Sequence, residues 1–268
     1  MMLKSKIHYI LRKCILDVLG TFSTPAPGIH ILNGHKITTN AGHGSSIDCK
    51  RFDKLLSQLE KNCRLINFQD AIKLIEEKAV VTEPLVAFTF DDGFDDCYYS
   101  IAPILEKHGI NAMFFINPNA ATAAQNKDEK YIKIFTDDTT VSPGKTPMTW
   151  EQMRDLVDRG FLIGAHTMDH YMMNHGSEEE LRHQIVECKK EIENQFSFPC
   201  DYFAWPYGQM GHVNMPAVEI AIATYPYVFS QTNYKRYFSC DGRVINRRHF
   251  EPFWPYRHLK YFLSCKKK

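Results

Sequence analysis

None of the eight cysteines (Cys14, Cys49, Cys63, Cys97, Cys188, Cys200, Cys240 and Cys265) stands in a CxxC pair, which excludes a zinc ribbon and a thioredoxin-type centre. Their wide scatter in a chain of 268 residues suits buried, reduced thiols better than a disulfide framework, which would call for an exported protein. No stretch of 18 apolar residues exists, so no membrane-spanning helix is expected. Neither sign of charge is in surplus: 32 Lys and Arg against 31 Asp and Glu leave +1. A general nucleic-acid binder needs a basic excess to neutralise phosphates, so that class is excluded as well. Internal repeats and low-complexity tracts are lacking too. What the chain does have is 12 histidines, and their placement becomes the question.

Residues 1–22 begin with basic residues, yet Arg12, Lys13 and Asp17 break the apolar run that a signal peptide needs. Ile7, Ile10, Leu11, Cys14, Ile15, Val18 and Leu19 instead follow helical spacing, with Gly20 as a stop and Pro25 and Pro27 beyond it. Two readings stand side by side. The helix docks on the protein's own core, or it lies on a membrane surface with Lys4, Lys6, Arg12 and Lys13 near anionic lipid. The terminal Lys266, Lys267 and Lys268 would assist the second. This N-terminus and the cysteine pattern point to the cytoplasm, with membrane association through residues 1–20 as the variant.

Beyond residue 28 the chain alternates buried strands and helices in one domain, 29–268, behind an N-terminal helix and linker, 1–28. Strands are predicted at Ile29–Leu32, 85–90, 112–117, 161–165, 201–205 and 226–230, as continuous apolar runs of the parallel-sheet type. Helices fall between them. Asp48 is read as a cap, Asn67 as a helix start with Asp70 in the first turn, and a helix at 95–108 ends at Gly109. Capping boxes stand at Thr149/Gln152 and Ser177/Glu180, and a further helix is read near 214–223. Residues 121–147 are polar and read as a surface insertion. About seven such repeats favour a distorted (β/α) barrel of parallel strands, whose chemistry belongs at the C-terminal strand ends.

Three strands end in polar clusters: Asp91-Asp92-Gly93, then His166 to His170, then Pro206-Tyr207-Gly208. Adjacent carboxylates need a counter-charge when buried. Histidines at i and i+4 can face one way on a helical turn or converge from a tight loop to hold a metal. One carboxylate and two histidines make an open site, leaving the other carboxylate free as a base. Alone, DDG is an ordinary turn and HxxxH an ordinary packing pair. Together, each after a buried strand, they point to a metal centre.

TFDDG at 89–93, HTMDH at 166–170 and APILEKHGINAMFFI at 102–116 resemble, in this order, the NodB-type polysaccharide deacetylases of carbohydrate esterase family four. The likeness runs from about His30 to Phe229, and that family's fold is a distorted barrel of seven parallel strands. The resemblance implies Asp91 as catalytic base, Asp92, His166 and His170 as ligands of a divalent ion, zinc foremost, and the Tyr207 amide as oxyanion donor. It implies hydrolysis of an N-acetyl group on a glycan or lipid-linked sugar.

Two departures matter. The third motif, normally R-x-P-Y, is Ala204-Trp205-Pro206-Tyr207, so the arginine that orients the base is missing. This form resembles the poly-β-1,6-N-acetylglucosamine deacetylase branch. The L-x-H fifth motif, source of the acid histidine, is also absent. The same branch carries a histidine after its first strand, which makes His35 the leading acid and His249 the alternative. Trp205, Pro206, Trp254, Tyr256 and Arg247 are candidates for substrate contact, against the plainer reading of packing and solvated charge. Deformylation of a lipid-linked amino sugar is a neighbouring reading. A carbohydrate-binding protein that has lost catalysis is the different-class one.

Overall fold

A computed structural model describes residues 2–138 and 142–267, with residues 2–10 and 138 as backbone only. The side chains of Lys4, Lys6, Ile7 and Ile10, and all of Lys268, lie outside the described residues.

The apolar runs form strands buried on both faces: β1 (Gly28–Gly34), β3 (Pro84–Phe90), β4 (Ala112–Ile116), β5 (Leu162–Ala165), β6 (Tyr202–Ala204) and β7 (Tyr227–Ser230), while the short, more exposed β2 (Arg64–Leu65) pairs with β3. The last three are β8 (Phe238–Ser239), β9 (Val244–Asn246) and β10 (Arg248–His249). Around the sheet the order is β10-β1-β3-β4-β5-β6-β7-β9-β8, parallel throughout except for β8 against β9. β9 and β10 are one extended segment broken only at Arg247. Its first half pairs with β7 (Ser230 opposite Asn246), and its second half pairs with β1 (Leu32 opposite Arg248). The amide of Arg247 donates to Ser230 O at 2.8 Å, and that of Phe250 to Asn33 O at 2.9 Å. One segment thus touches both ends of the sheet and curls it into the expected distorted barrel of seven parallel positions.

Alternation along these strands sorts their side chains. Ile29, Ile31, Leu85, Ala87, Met113, Phe115, Ala204, Phe229 and Ile245 form one buried cluster with Phe68, Ala71, Ile72 and Ile75 of the helix Phe68–Glu76. The alternate set, including Val86, Phe88, Phe90, Phe114, Ile163 and Phe203, packs on the surrounding helices. Toward the C-terminal strand ends the inward positions turn polar, at Asn33, Thr89, Asp91 and Arg247. The apolar filling holds the barrel together, and the polar layer above it carries the site.

Several local expectations need correction. The cap of the helix Ser46–Leu59 is Ser45, whose hydroxyl accepts from the Asp48 amide while the Ser45 amide donates to Asp48 Oδ2. Asp48 is therefore the third helical residue of a capping box. Asn67 precedes its helix without a side-chain cap bond, because its Oδ1 accepts from the Asn111 amide instead. Residues 121–147 are not a bare insertion: helices Pro118–Asn126 and Glu129–Asp138 occupy much of it, and Lys145 is buried in an ion pair with Asp96 at 2.8 Å. Gly20 does not stop the N-terminal helix, which runs from Met2 to Phe22. A Cβ there would stand 1.9 Å from Arg257 O, so glycine lets this helix cross closely over the C-terminal helix Tyr256–Leu263. The helix predicted at 95–108 is a π turn, Cys97–Ile101, followed by Ala102–Lys107. Both predicted capping boxes, at Thr149/Gln152 and Ser177/Glu180, are present.

Candidate active site

The site grows out of strand ends. β3 runs into Asp91 and Asp92, and the chain turns at Gly93, where φ is +66° and a Cβ would meet Ile116 Cγ2 at 2.9 Å. β5 runs into the loop 166–170. Its backbone is buttressed by Asn117, whose side-chain amide donates to the carbonyls of His166 and Thr167. Asp169 is turned away from the site, accepting from Asn119, Tyr131 and Gln184. Asp92, Thr167, His170 and Tyr207 all have positive φ, at 71°, 64°, 58° and 63°. Non-glycine residues hold such conformations at roughly 1–3 kcal/mol each, and only where surrounding packing over-determines them. The loop, not a helical turn, brings the two histidines together.

Asp92, His166 and His170, all buried, converge. Asp92 Oδ1 lies 3.5 Å from His166 Nε2 and 3.3 Å from His170 Nε2, and it is buried without a hydrogen bond. His166 Nδ1 donates to Ala204 O at 2.7 Å, which fixes Nε2 as the bare nitrogen facing Asp92. A tetrahedral ion with bonds of about 2.0–2.1 Å spaces its ligands about 3.3 Å apart. The donor types, their spacing and the unpaired carboxylate oxygen therefore fit a divalent ion. Burial pushes the Asp92 carboxyl up, but His170 and His166 outweigh it, leaving it well below the usual carboxylate range.

Asp91 sits one residue back, in the polar layer. Arg247 Nη1 donates to its Oδ1 at 2.7 Å and Nη2 to its Oδ2 at 2.9 Å, while Asn33 Nδ2 donates to Oδ2 at 2.8 Å. Arg247 also donates to Asn33 Oδ1 and Thr89 Oγ1, at 2.8 and 3.1 Å. Burial works to raise the Asp91 carboxyl; the guanidinium, followed by His166, outweighs it and holds the group ionised below its ordinary value. The arginine absent from the third motif is thus replaced in space from the closing strand.

A cavity of about 350 Å³ opens over Asp92, His166 and His170, with His35, Tyr207, His249 and Glu251 among its walls. That is ample for one sugar unit. His35 Nδ1 donates to Glu251 Oε1 at 2.9 Å. Burial pushes the His35 ring down, but the Glu251 carboxylate, together with Asp92 and Asp91, outweighs this and raises it to about 9. Burial lowers His249 to about 4, and the charge of His35 adds to the effect. The two acid candidates are therefore separated: one ring is held as imidazolium near neutrality, the other is neutral. Lys36 also reaches the cavity, donating to Ser142 Oγ at 2.6 Å.

Five expected substrate contacts are placed elsewhere. The Trp205 indole is wholly buried in the outer core, and Pro206 is buried beside it. Trp205 follows β6 on the alternation facing the helices, so it cannot stack on a sugar. Arg247 is fully buried against Asp91 and cannot reach substrate. Trp254 meets His249 edge-on with centroids 5.3 Å apart and lines a neighbouring hollow with Arg12, Leu16 and Phe262. Tyr256 OH accepts from Asn62 at 2.8 Å. Sequence reasoning missed Asn33 and Glu251. Alternation puts Asn33 on β1 and His35 just beyond it on one face, and Arg247, His249 and Glu251 on one face of the closing segment, but nothing local says that the two faces meet.

A curled parallel barrel with one carboxylate and two histidines converging at its C-terminal mouth puts the candidate site where such barrels carry their chemistry. The family model described as polysaccharide deacetylase matches residues 78–222, more than half of the chain, and the chain belongs to that family. The Bacillus subtilis (strain 168) protein YxkH, which carries a polysaccharide deacetylase name, is 24% identical over 205 residues. Those residues are 76% of this chain and 65% of YxkH, so the chain spans just under two thirds of that relative. Among solved structures, IcaB from Ammonifex degensii superposes with a TM-score of 0.67 at 20% identity, over 90% of this chain and 99% of that one. The Streptococcus pyogenes deacetylase PplD, solved with acetate, gives 0.62 at 18% identity, over 88% and 97%. These likenesses establish the shared fold.

Proposed function

We propose that the protein is a metal-dependent N-deacetylase acting on an amino sugar of a polysaccharide or lipid-linked glycan. The observation that carries this reading is the bidentate Arg247–Asp91 pair beside the Asp92, His166 and His170 donors. A protein that only bound sugar would have no use for a second buried carboxylate held ionised by its own buried arginine.

Asp92, His166 and His170 would hold the ion, and zinc suits two imidazoles and a carboxylate. When bound, it supplies Lewis-acid polarisation of the acetyl carbonyl and a lowered pKa for water. Asp91, oriented by Arg247 and Asn33, accepts the proton of the attacking water. The Tyr207 backbone N–H donates to the oxyanion that develops as the water oxygen bonds to the carbonyl carbon. His35, kept protonated by Glu251, gives its proton to the nitrogen as the C–N bond breaks, releasing acetate and a free amine. Glu251 acts through His35 and is a positioning residue. His249, neutral, has no part in the proton transfers.

Metal analysis followed by acetate release from chitooligosaccharide and β-1,6-linked N-acetylglucosamine oligomers tests the reading. Metal-loaded protein that frees acetate supports it. Metal-loaded protein that frees only formate from a formylated lipid-linked amino sugar would move it to the neighbouring acyl chemistry. Protein that takes up no zinc and still retains sugar would replace it with the binder.

The N-terminal helix supports a membrane-proximal version. Leu11, Ile15, Val18 and Phe22 follow one helical face and are 56%, 55%, 59% and 85% exposed, while Asp17 on another face pairs with Arg257 and His258. Among the described residues no helix is long and apolar enough to cross a membrane. An exposed apolar stripe next to Arg12 and Lys13 suits a helix lying in a lipid interface. Flotation with anionic vesicles should recover the whole protein and lose it when Ile15 and Val18 are both changed to Ser; equal flotation of both would remove the membrane from the reading.

A further inference from the structure

His35, His249 and Glu251 form a second convergent donor set on the same cavity. Both rings face one oxygen, Glu251 Oε1: His35 Nδ1 at 2.9 Å and His249 Nε2 at 3.8 Å. The rings are 5.3 Å apart between centroids and tilted by 53°, so they do not stack. The shorter contact is a hydrogen bond; the longer is too long for one. The two distances bracket the ligand spacing of about 3.3 Å that a tetrahedral ion requires. Both donor sets border one cavity, so an ion bound here would still have open positions for water.

We propose that this cluster is a second, weaker zinc site that shuts the enzyme off at excess metal. Binding displaces the proton that His35 Nδ1 shares with Glu251 and releases it to solvent, leaving Glu251, His35 and His249 as ligands. An imidazole bound through Nδ1 keeps only its Nε2–H, which is far too weak an acid to protonate a leaving amine. This inhibitory consequence rests on His35 acting as the acid under the function proposed above; the binding itself does not.

The test uses the whole protein stripped with chelator and titrated with zinc alone, read by calorimetry and by bound-metal analysis. Wild type should take up two equivalents, the second more weakly. His249→Ala should take up one, whereas His166→Ala should keep only the weaker. In the activity arm, excess zinc should inhibit wild type. Each measured against its own rate at one equivalent of zinc, His249→Ala should need more than about tenfold higher zinc than wild type for the same fractional inhibition, since ligand loss weakens a site at least as much as loss of an outer partner. A wild type that saturates at one equivalent, or a His249→Ala variant that binds two, overturns the site. Two equivalents in wild type, one in His249→Ala and no acetate release from any glycan would leave the site standing while removing the deacetylase reading.

Discussion

The two donor sets on this cavity have the same composition, two imidazoles and a carboxylate, yet they are built differently. Asp92, His166 and His170 are all buried; in the outer set Glu251 is buried while His35 and His249 are partly exposed. The inner set stands on backbone held at positive φ at Asp92 and His170, whereas none of the three outer residues has positive φ. Its contacts to the shared oxygen, 3.3 and 3.5 Å, are nearly equal, against 2.9 and 3.8 Å in the outer set. His166 is fixed by Ala204 O, while His35 is fixed only by the carboxylate it would share with an ion. Strain and outer hydrogen bonds mark a place whose geometry is set before any ligand arrives. The outer set is organised around a proton, so under the proposed function the inner set is the tight metal site and the outer one the acid, open to metal only more weakly.

Removing an inner donor should break the comparison most severely. His166→Ala is expected to lose tight zinc and to lower kcat/KM by on the order of 10³–10⁴-fold, since several kcal/mol of charge stabilisation go with the ion. Metal analysis and acetate release check this together; activity retained without tight zinc would refute the assignment. Arg247→Met attacks the layer beneath. It leaves Asp91 as a buried, unpaired carboxylate, and breaking such a pair costs about 3–5 kcal/mol. Urea unfolding should show that loss, with activity falling in the fraction that stays folded. An unchanged midpoint would mean that Asp91 finds another partner.

How far the sequence reaches is seen in these same residues. Asp91, Asp92, His166 and His170 are legible because each follows an apolar strand, and strand ends share one face of a parallel barrel. The capping boxes are legible because their partners are three residues apart. Arg247 is not, since its partner lies 156 positions away and only closure of the barrel by β9 and β10 brings them together. Glu251 is hidden for the same reason, at 216 positions from His35. Trp205 misleads in the opposite direction: its neighbours in sequence are site residues, but the alternation of β6 sends its ring into the outer core. Residues 121–147 look like loop from their polarity, whereas Ala120, Ala121, Ala123 and Ala124 bury one face of a short helix.

The smaller effects fall on the outer set. His35→Gln removes the acid and should lower kcat by about 10²-fold or more while leaving the inner zinc in place. Normal turnover would eliminate His35 from the mechanism. Glu251→Gln is milder and more informative, because it keeps the histidine and alters only what raises it. His35 must be protonated to act as an acid, and Glu251 together with the nearby aspartates lifts it to about 9. An ion on the inner set cancels the share owed to Asp92, so Glu251 provides the part that persists in the loaded enzyme. The wild-type rate should therefore hold through neutral pH and fall as pH rises toward 9. Without the carboxylate the imidazolium is lost at lower pH, so the alkaline limb of kcat should move down by about one unit or more, a loss of about twofold or more at pH 8. The folding term has the same sign: a histidine raised on folding stabilises fully below its unfolded value near 6.5, and that contribution fades as pH climbs through about 9. A Glu251→Gln variant with reduced kcat but an unmoved alkaline limb would show that the carboxylate only packs, and that something else keeps His35 charged.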